Sequence, residues 1–150
     1  MFSENLFNGL KFLPEMVNNR MKMNIDFPGG QKVNAVFQGF TVKTDQSIDS
    51  GGEGSAPEPF SLFLSSIGTC TGIYVLRFCQ ERNLPTDKLR LVLDAHWNDE
   101  INLIDTIDIT INTPSSFPEK YKKTLIKVAK LCTVKRQLEK PPNINLTLGI

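Results

Sequence analysis

The sequence predicts an α+β domain in which antiparallel strands surround one long apolar helix. Three observations predict it. Short runs of alternating apolar and polar residues, separated by turns, occupy positions 23–42 and 89–111. Between them, the stretch from Pro59 to Leu76 holds no Asp, Glu, Lys or Arg. After the second pair of runs, apolar residues return at helical spacing in a lysine-rich segment.

Residues 1–20 show no clear period and are expected to be an extension of a domain covering 21–150. Glu4, Lys11, Pro14 and Glu15 within them do not fit a signal peptide. Met23, Ile25 and Phe27 then alternate with Asn24 and Asp26. Pro28-Gly29-Gly30 turns the chain, and Val33, Ala35 and Phe37 alternate again, so a hairpin is expected. Phe40 and Val42 extend it to a third strand. Ile48 to Pro59 is rich in Gly, Ser, Glu and Pro and reads as a loop that cannot pack densely.

Glu58-Pro59 marks a helix start, because proline suits the first turn, where its missing N–H loses no partner. The helix is expected to run to about Arg82, ahead of Leu84-Pro85. Phe60, Leu62, Phe63, Leu64, Ile67, Ile73, Val75, Leu76 and Phe78 cover most of its circumference, the pattern of a helix enclosed by other elements. The uncharged run approaches the ~18 residues of a membrane span. Ser61, Ser65, Ser66, Thr69, Thr71, Gly68 and Gly72 interrupt it, so it reads as a buried helix. Such a helix extends roughly 35 Å, long for this chain, and enclosing it points to a second subunit.

Leu89, Leu91, Leu93 and Ala95 alternate with Arg90, Val92, Asp94 and His96 in the next strand. Asn98-Asp99-Glu100 turns the chain, and Ile107, Ile109 and Ile111 form the facing strand. Pro118 opens an amphipathic helix that places Tyr121, Leu125, Val128 and Cys132 inward and Lys122, Lys123, Lys127 and Lys130 on a solvated face. A short helix at Thr133 to Glu139, a break at Pro141-Pro142 and a last strand through Ile144, Leu146 and Leu148 complete the chain.

Seventeen basic residues against 16 acidic ones leave a formal charge of +1, so no global field recruits nucleic acid or an anionic membrane. Three cysteines, Cys70, Cys79 and Cys132, make neither a disulfide framework nor a set with metal-ligand spacing. A reducing, cytoplasmic location is expected, with no metal and no other cofactor.

Cys70 sits mid-helix in Ile67-Gly68-Thr69-Cys70-Thr71-Gly72, where glycine costs about 1 kcal/mol relative to alanine. The small residues admit either a substrate or a closely packed neighbouring helix. Cys132 comes where the lysine-rich helix ends and the last helix begins, so its sulfur lies either near a helix N-terminus, which favours thiolate, or inert in the core. Cys79 falls on the opposite side of the long helix from Cys70 and is assigned to the core. Arg77 shares a face with Cys70 and either approaches its sulfur or forms a surface salt bridge. His96, the lone histidine, has no triad partners and is expected to be structural or exposed.

Gly51-Gly52, Pro57-Glu58-Pro59-Phe60 and Leu62-Phe63-Leu64-Ser65-Ser66-Ile67-Gly68-Thr69-Cys70-Thr71-Gly72 resemble the central helix of the OsmC/Ohr family. The resemblance extends over Met21 to Ile150 and includes a second cysteine in Leu131-Cys132-Thr133-Val134, followed by the Pro-Pro turn. It implies an intertwined homodimer, with sheets of both chains wrapped around two central helices. It also implies a thiol peroxidase: Cys70 attacks an organic hydroperoxide, Cys132 resolves the sulfenic acid, and a thiol or dihydrolipoyl reductant resets the disulfide. Three positions depart from the family pattern. Ser61 stands where an acidic residue is common, with Glu58 the nearest carboxylate; Gln31 and Lys32 stand where the first hairpin turn usually offers arginine; Thr133 stands where proline often follows the second cysteine.

The first functional reading is therefore a peroxidase with Cys70 and Cys132 as its reacting thiols and Lys32 or Arg77 favouring thiolate. The second is a non-catalytic dimer that binds a small apolar or thiol-reactive ligand. The third is a structural dimer whose cysteines belong to the core.

Overall fold

The structure, a computed structural model, describes residues 20–149. The expected extension, residues 1–20, lies outside them except for Arg20. The chain forms two compact units with their boundary between Leu62 and Phe63.

The first unit is an antiparallel meander of β1 (Asn24–Gly29), β2 (Lys32–Phe37) and β3 (Phe40–Thr44). Ile25, Ala35 and Val42 stand side by side across the three strands, and Asp26, Asn34 and Lys43 do so one position along. The period-2 pattern thus makes one apolar face and one polar face. Gln38 and Gly39 join β2 to β3 with φ of 47° and 79°, the two left-handed residues of a type I′ hairpin, whose twist matches that of the strands. Phe37 and Phe40 pair across this turn, with ring centroids 6.3 Å apart.

Beyond β3 the loop is tied down, contrary to the expectation of loose packing. Asp45, 1% exposed, accepts hydrogen bonds from the N–H groups of Gln46 (2.8 Å), Glu53 (3.3 Å) and Ser55 (3.0 Å) and from Ser55 Oγ (2.7 Å). A polar side chain does here what apolar side chains do in a core. A short 3-10 turn, Ile48–Ser50, ends on Gly51 at φ 82°. A Cβ on Gly52 would lie 2.1 Å from the Gln46 carbonyl oxygen, so no side chain fits there.

The helix α1 (Pro59–Gln80) starts on its proline as expected and carries the boundary between the units. It closes in a Schellman motif: Asn83 is left-handed at φ 52°, its N–H reaches Gln80 O, and the Leu84 N–H reaches Cys79 O. By length and composition α1 is able to cross a membrane. In the second unit it is a core helix, with Ile67, Tyr74, Val75, Phe78 and Cys79 buried. Three of its hydroxyls are satisfied on its own carbonyls, from Ser66 to Phe63, Thr69 to Ser65 and Thr71 to Ile67. Enclosure within one chain is nevertheless incomplete: Phe60 and Phe63 remain exposed.

The rest of the second unit is the hairpin β4 (Arg90–Asn98) and β5 (Leu103–Asn112), then α2 (Glu119–Ala129) and α3 (Thr133–Glu139). Leu91 pairs with Ile111 and Leu93 with Ile109, forming the half-buried face of the hairpin, with Leu93 Cδ1 next to Gly68 of α1. Leu125 and Val128 of α2 are buried, while Lys122, Lys123, Lys127 and Lys130 are exposed, as their spacing predicts. Phe78 is 1% exposed and meets Tyr121 edge-on at 5.9 Å. His96 is exposed and bonds Asp108 across the hairpin at 3.1 Å.

The last expected strand does not form. Ile144, Leu146 and Leu148 are 83%, 94% and 97% exposed, and residues 141–149 have no regular structure. Alternation marks a segment suited to a sheet, but a strand needs a neighbour to satisfy its backbone.

Candidate functional site

Cys70 and Cys132 are remote in sequence and adjacent in the fold. Cys70 lies in the middle of α1, half-buried, and Cys132 is the fully buried N-cap residue of α3. The Cys132 sulfur accepts the Lys135 N–H at 3.4 Å, and its own S–H points to the Ile67 carbonyl at 3.9 Å. The backbone N–H groups of Thr133 and Val134, at the start of α3, and the Cys132 thiol lie close enough to Cys70 to influence its titration. An α-helix leaves its first N–H groups without intrahelical partners. Here the Cys132 sulfur supplies one, accepting the N–H of Lys135.

Burial pushes the Cys70 thiol above its ordinary pKa, and the neighbouring Cys132 adds to the rise. The two N–H groups of α3 act in the opposite direction, because they favour a charged sulfur. All three thiols are free, and burial also raises Cys79, which is 0% exposed in the core.

The supporting residues named from sequence have other engagements. Lys32 forms an ion pair with Glu53 at 2.6 Å, and this bond raises the lysine pKa. The Glu58 carboxylate accepts the Ser47 N–H at 3.0 Å and so anchors the loop. Ser61 is exposed on the first turn of α1. Arg77 is half-buried on α1 and is not among the leading influences on the Cys70 thiol, which are headed by burial and followed by the start of α3 and Cys132.

On the face of α1 turned away from Cys70, Leu64, Ser65, Gly68 and Thr69, with Leu91, Leu93 and Ile109 of the hairpin, line an open groove of about 450 Å³. Leu93 Cδ1 lies 3.7 Å from where a Gly68 Cβ would stand, an ordinary contact, and nothing lies within 4 Å of the same point on Gly72.

The family model for OsmC-like protein matches residues 52–147, which include the whole of α1 and both cysteines. The chain belongs to the OsmC-like family. Solved structures agree on the fold. An OsmC like protein from Mycoplasma pneumoniae has a TM-score of 0.65 at 14% identity, with 83% of this chain and 91% of that one covered. A Psychrobacter arcticus 273-4 protein, whose name refers to osmotic stress induction and a detoxification response, has a TM-score of 0.66 at 16% identity, with 84% and 90% covered. The organic hydroperoxide resistance protein OhrB of Bacillus subtilis has a TM-score of 0.51 at 15% identity, with 81% and 92% covered. No curated protein matches the chain.

Two features of this OsmC-like chain carried no sequence signal strong enough to single them out. Tyr74 is 5% exposed and its hydroxyl meets Thr133 Oγ1 at 3.0 Å, next to both cysteines. Its one-turn spacing from Cys70 was legible, but a tyrosine in an apolar helix usually means core packing. Asp45 was hidden in a loop whose composition suggested no packing at all.

Proposed function

We propose that this OsmC-like protein is a thiol-dependent peroxidase that reduces organic hydroperoxides in the cytoplasm. The observation that carries the reading is the meeting of Cys70 and Cys132 at the start of α3. The half-buried Cys70 is the thiol a peroxide reaches in this reading, and the fully buried Cys132 acts second.

In the first step the Cys70 thiolate attacks one peroxide oxygen. The O–O bond breaks, the sulfur becomes a sulfenic acid, and the alkoxide leaves as an alcohol with a proton. In the second step the Cys132 sulfur attacks that of Cys70; the S–S bond forms, the S–O bond breaks, and water leaves with the Cys132 proton. A dithiol, of thiol or dihydrolipoyl type, then returns two electrons and two protons. The N–H groups of Thr133 and Val134 take the place of a cation in favouring thiolate.

The partner is a second copy of the chain. Phe60, Phe63, Ile144, Leu146 and Leu148 are apolar side chains that one chain leaves in water. A homodimer covers them.

One observation favours the ligand-binding alternative: burial raises the Cys70 pKa, which lowers its thiolate fraction. Intact-mass and peptide analysis after brief exposure to cumene hydroperoxide separates the two readings. A rapid Cys70–Cys132 disulfide supports the peroxidase; unmodified thiols after prolonged exposure overturn it.

A further inference from the structure

The first turn of α3 is fastened to α1 on both sides of Cys70. One turn before Cys70, the Ile67 carbonyl faces the Cys132 thiol at 3.9 Å. One turn after it, the Tyr74 hydroxyl meets the Thr133 hydroxyl at 3.0 Å. Ile67, Cys70 and Tyr74 follow one another at helical spacing, so they share a face of α1. The Ile67 contact is long and made by a weak donor, whereas the Tyr74 contact has ordinary hydrogen-bond length. α3 itself has only seven residues and no buried residue besides its cap, so a tie from its first residue to α1 bears directly on where Cys132 sits.

We propose that Tyr74 is a positioning residue for the resolving step: its bond to Thr133 holds Cys132 against Cys70 and so sets how fast the disulfide closes. The inference rests on the peroxidase reading for its biological meaning but concerns a geometry that is measurable without it. A sulfenic acid that waits for its resolving thiol is open to a second peroxide and to irreversible oxidation. A latch one residue from Cys132 shortens that wait. In this scheme Tyr74 acts on Cys132 through Thr133, so the first step does not depend on it.

The test uses the full chain with two oxidants. Diamide closes nearby thiols whether or not the protein is a peroxidase: Cys70 adds to its N=N bond, and Cys132 displaces the reduced hydrazide to form the disulfide. Tyr74→Phe keeps the ring in the core and removes only the hydroxyl. Disulfide closure by diamide is expected to slow about fivefold, the effect of one lost neutral hydrogen bond. Thr133→Val should slow it equally, Thr133→Ser should preserve the rate, and the double variant Tyr74→Phe/Thr133→Val should be no slower than either single one. With cumene hydroperoxide, the same variants should lose the first thiol at the normal rate but accumulate more Cys70 sulfinic acid. Wild-type closure rates in Tyr74→Phe, or additive effects in the double variant, overturn the proposal. Normal closure with diamide in the wild type but none with hydroperoxide overturns the peroxidase reading and leaves the latch to be judged on the diamide rates.

Discussion

Ser55 donates twice to a single carboxylate oxygen of Asp45, from its backbone N–H at 3.0 Å and from its hydroxyl at 2.7 Å. With the N–H groups of Gln46 and Glu53 also directed at this side chain, the loop between β3 and α1 is organised around one buried charge.

That arrangement makes the stability of the loop depend on pH. The Ser55 bonds, first from the hydroxyl and then from the backbone, lower the Asp45 pKa to about 2. A carboxyl whose pKa is depressed on folding contributes stability that is fully present above its unfolded value of about 3.9 and is lost as pH falls through the folded one. Urea unfolding of the wild type should therefore weaken between about pH 5 and pH 2, while Asp45→Asn should start less stable and show a flatter profile over that window. A wild-type curve with the same acid slope as the variant would refute the role given to Asp45.

Cys70 should titrate late. Burial, first, and then Cys132 raise its pKa, so iodoacetamide should modify it with a midpoint above the ordinary cysteine value of about 8.5. Cys132→Ala removes one of the raising influences and should move the midpoint down. Peptide mapping of the alkylated protein over pH reads both.

The two cysteines should fail differently. Cys70→Ser should abolish peroxide turnover, whereas Cys132→Ser should permit one oxidation and then trap Cys70 as a sulfenic acid, detected by a dimedone adduct. Equal residual activity in the two variants would remove the assignment of distinct roles.

Phe78 should dominate the core of the second unit. It is 1% exposed, packs edge-on against Tyr121 and has the Arg82 guanidinium 4.0 Å from its ring centroid. Phe78→Ala should cost about 3–5 kcal/mol by chemical denaturation, the usual range for a buried phenylalanine. Cys79→Ala, at a buried site beside it, should cost about 1 kcal/mol and leave peroxide turnover unchanged.

The exposed C-terminal segment should matter to assembly more than to folding. Removing residues 143–150 takes away Ile144, Leu146 and Leu148, which bury almost nothing in the single chain. Sedimentation should show a weakened dimer, with little change in the unfolding of the remaining monomer. An unchanged dimer would exclude this segment from the interface.

Period-2 alternation placed the strands of both sheets, and Pro59 and Pro118 marked helix starts, because a strand's two faces and a helix's first turn impose their demands residue by residue. Local patterning fails at Ile144 to Leu148, where alternation is present and a neighbouring strand is absent among the described residues. It also undervalued the loop around Asp45, because a hydrogen-bonded carboxylate leaves no hydrophobic signature.

By itself the sequence determined the α+β class, the long apolar helix and the three cysteines. Only the tertiary structure decided that the start of α3 with Cys132 lies near Cys70, that Lys32 is taken by Glu53, and that Tyr74 reaches Thr133. The division has a physical origin. Patterning and propensity act between residues a few positions apart, whereas the meeting of two sulfurs from distant segments depends on how α1 and α3 pack, which no local run of residues encodes.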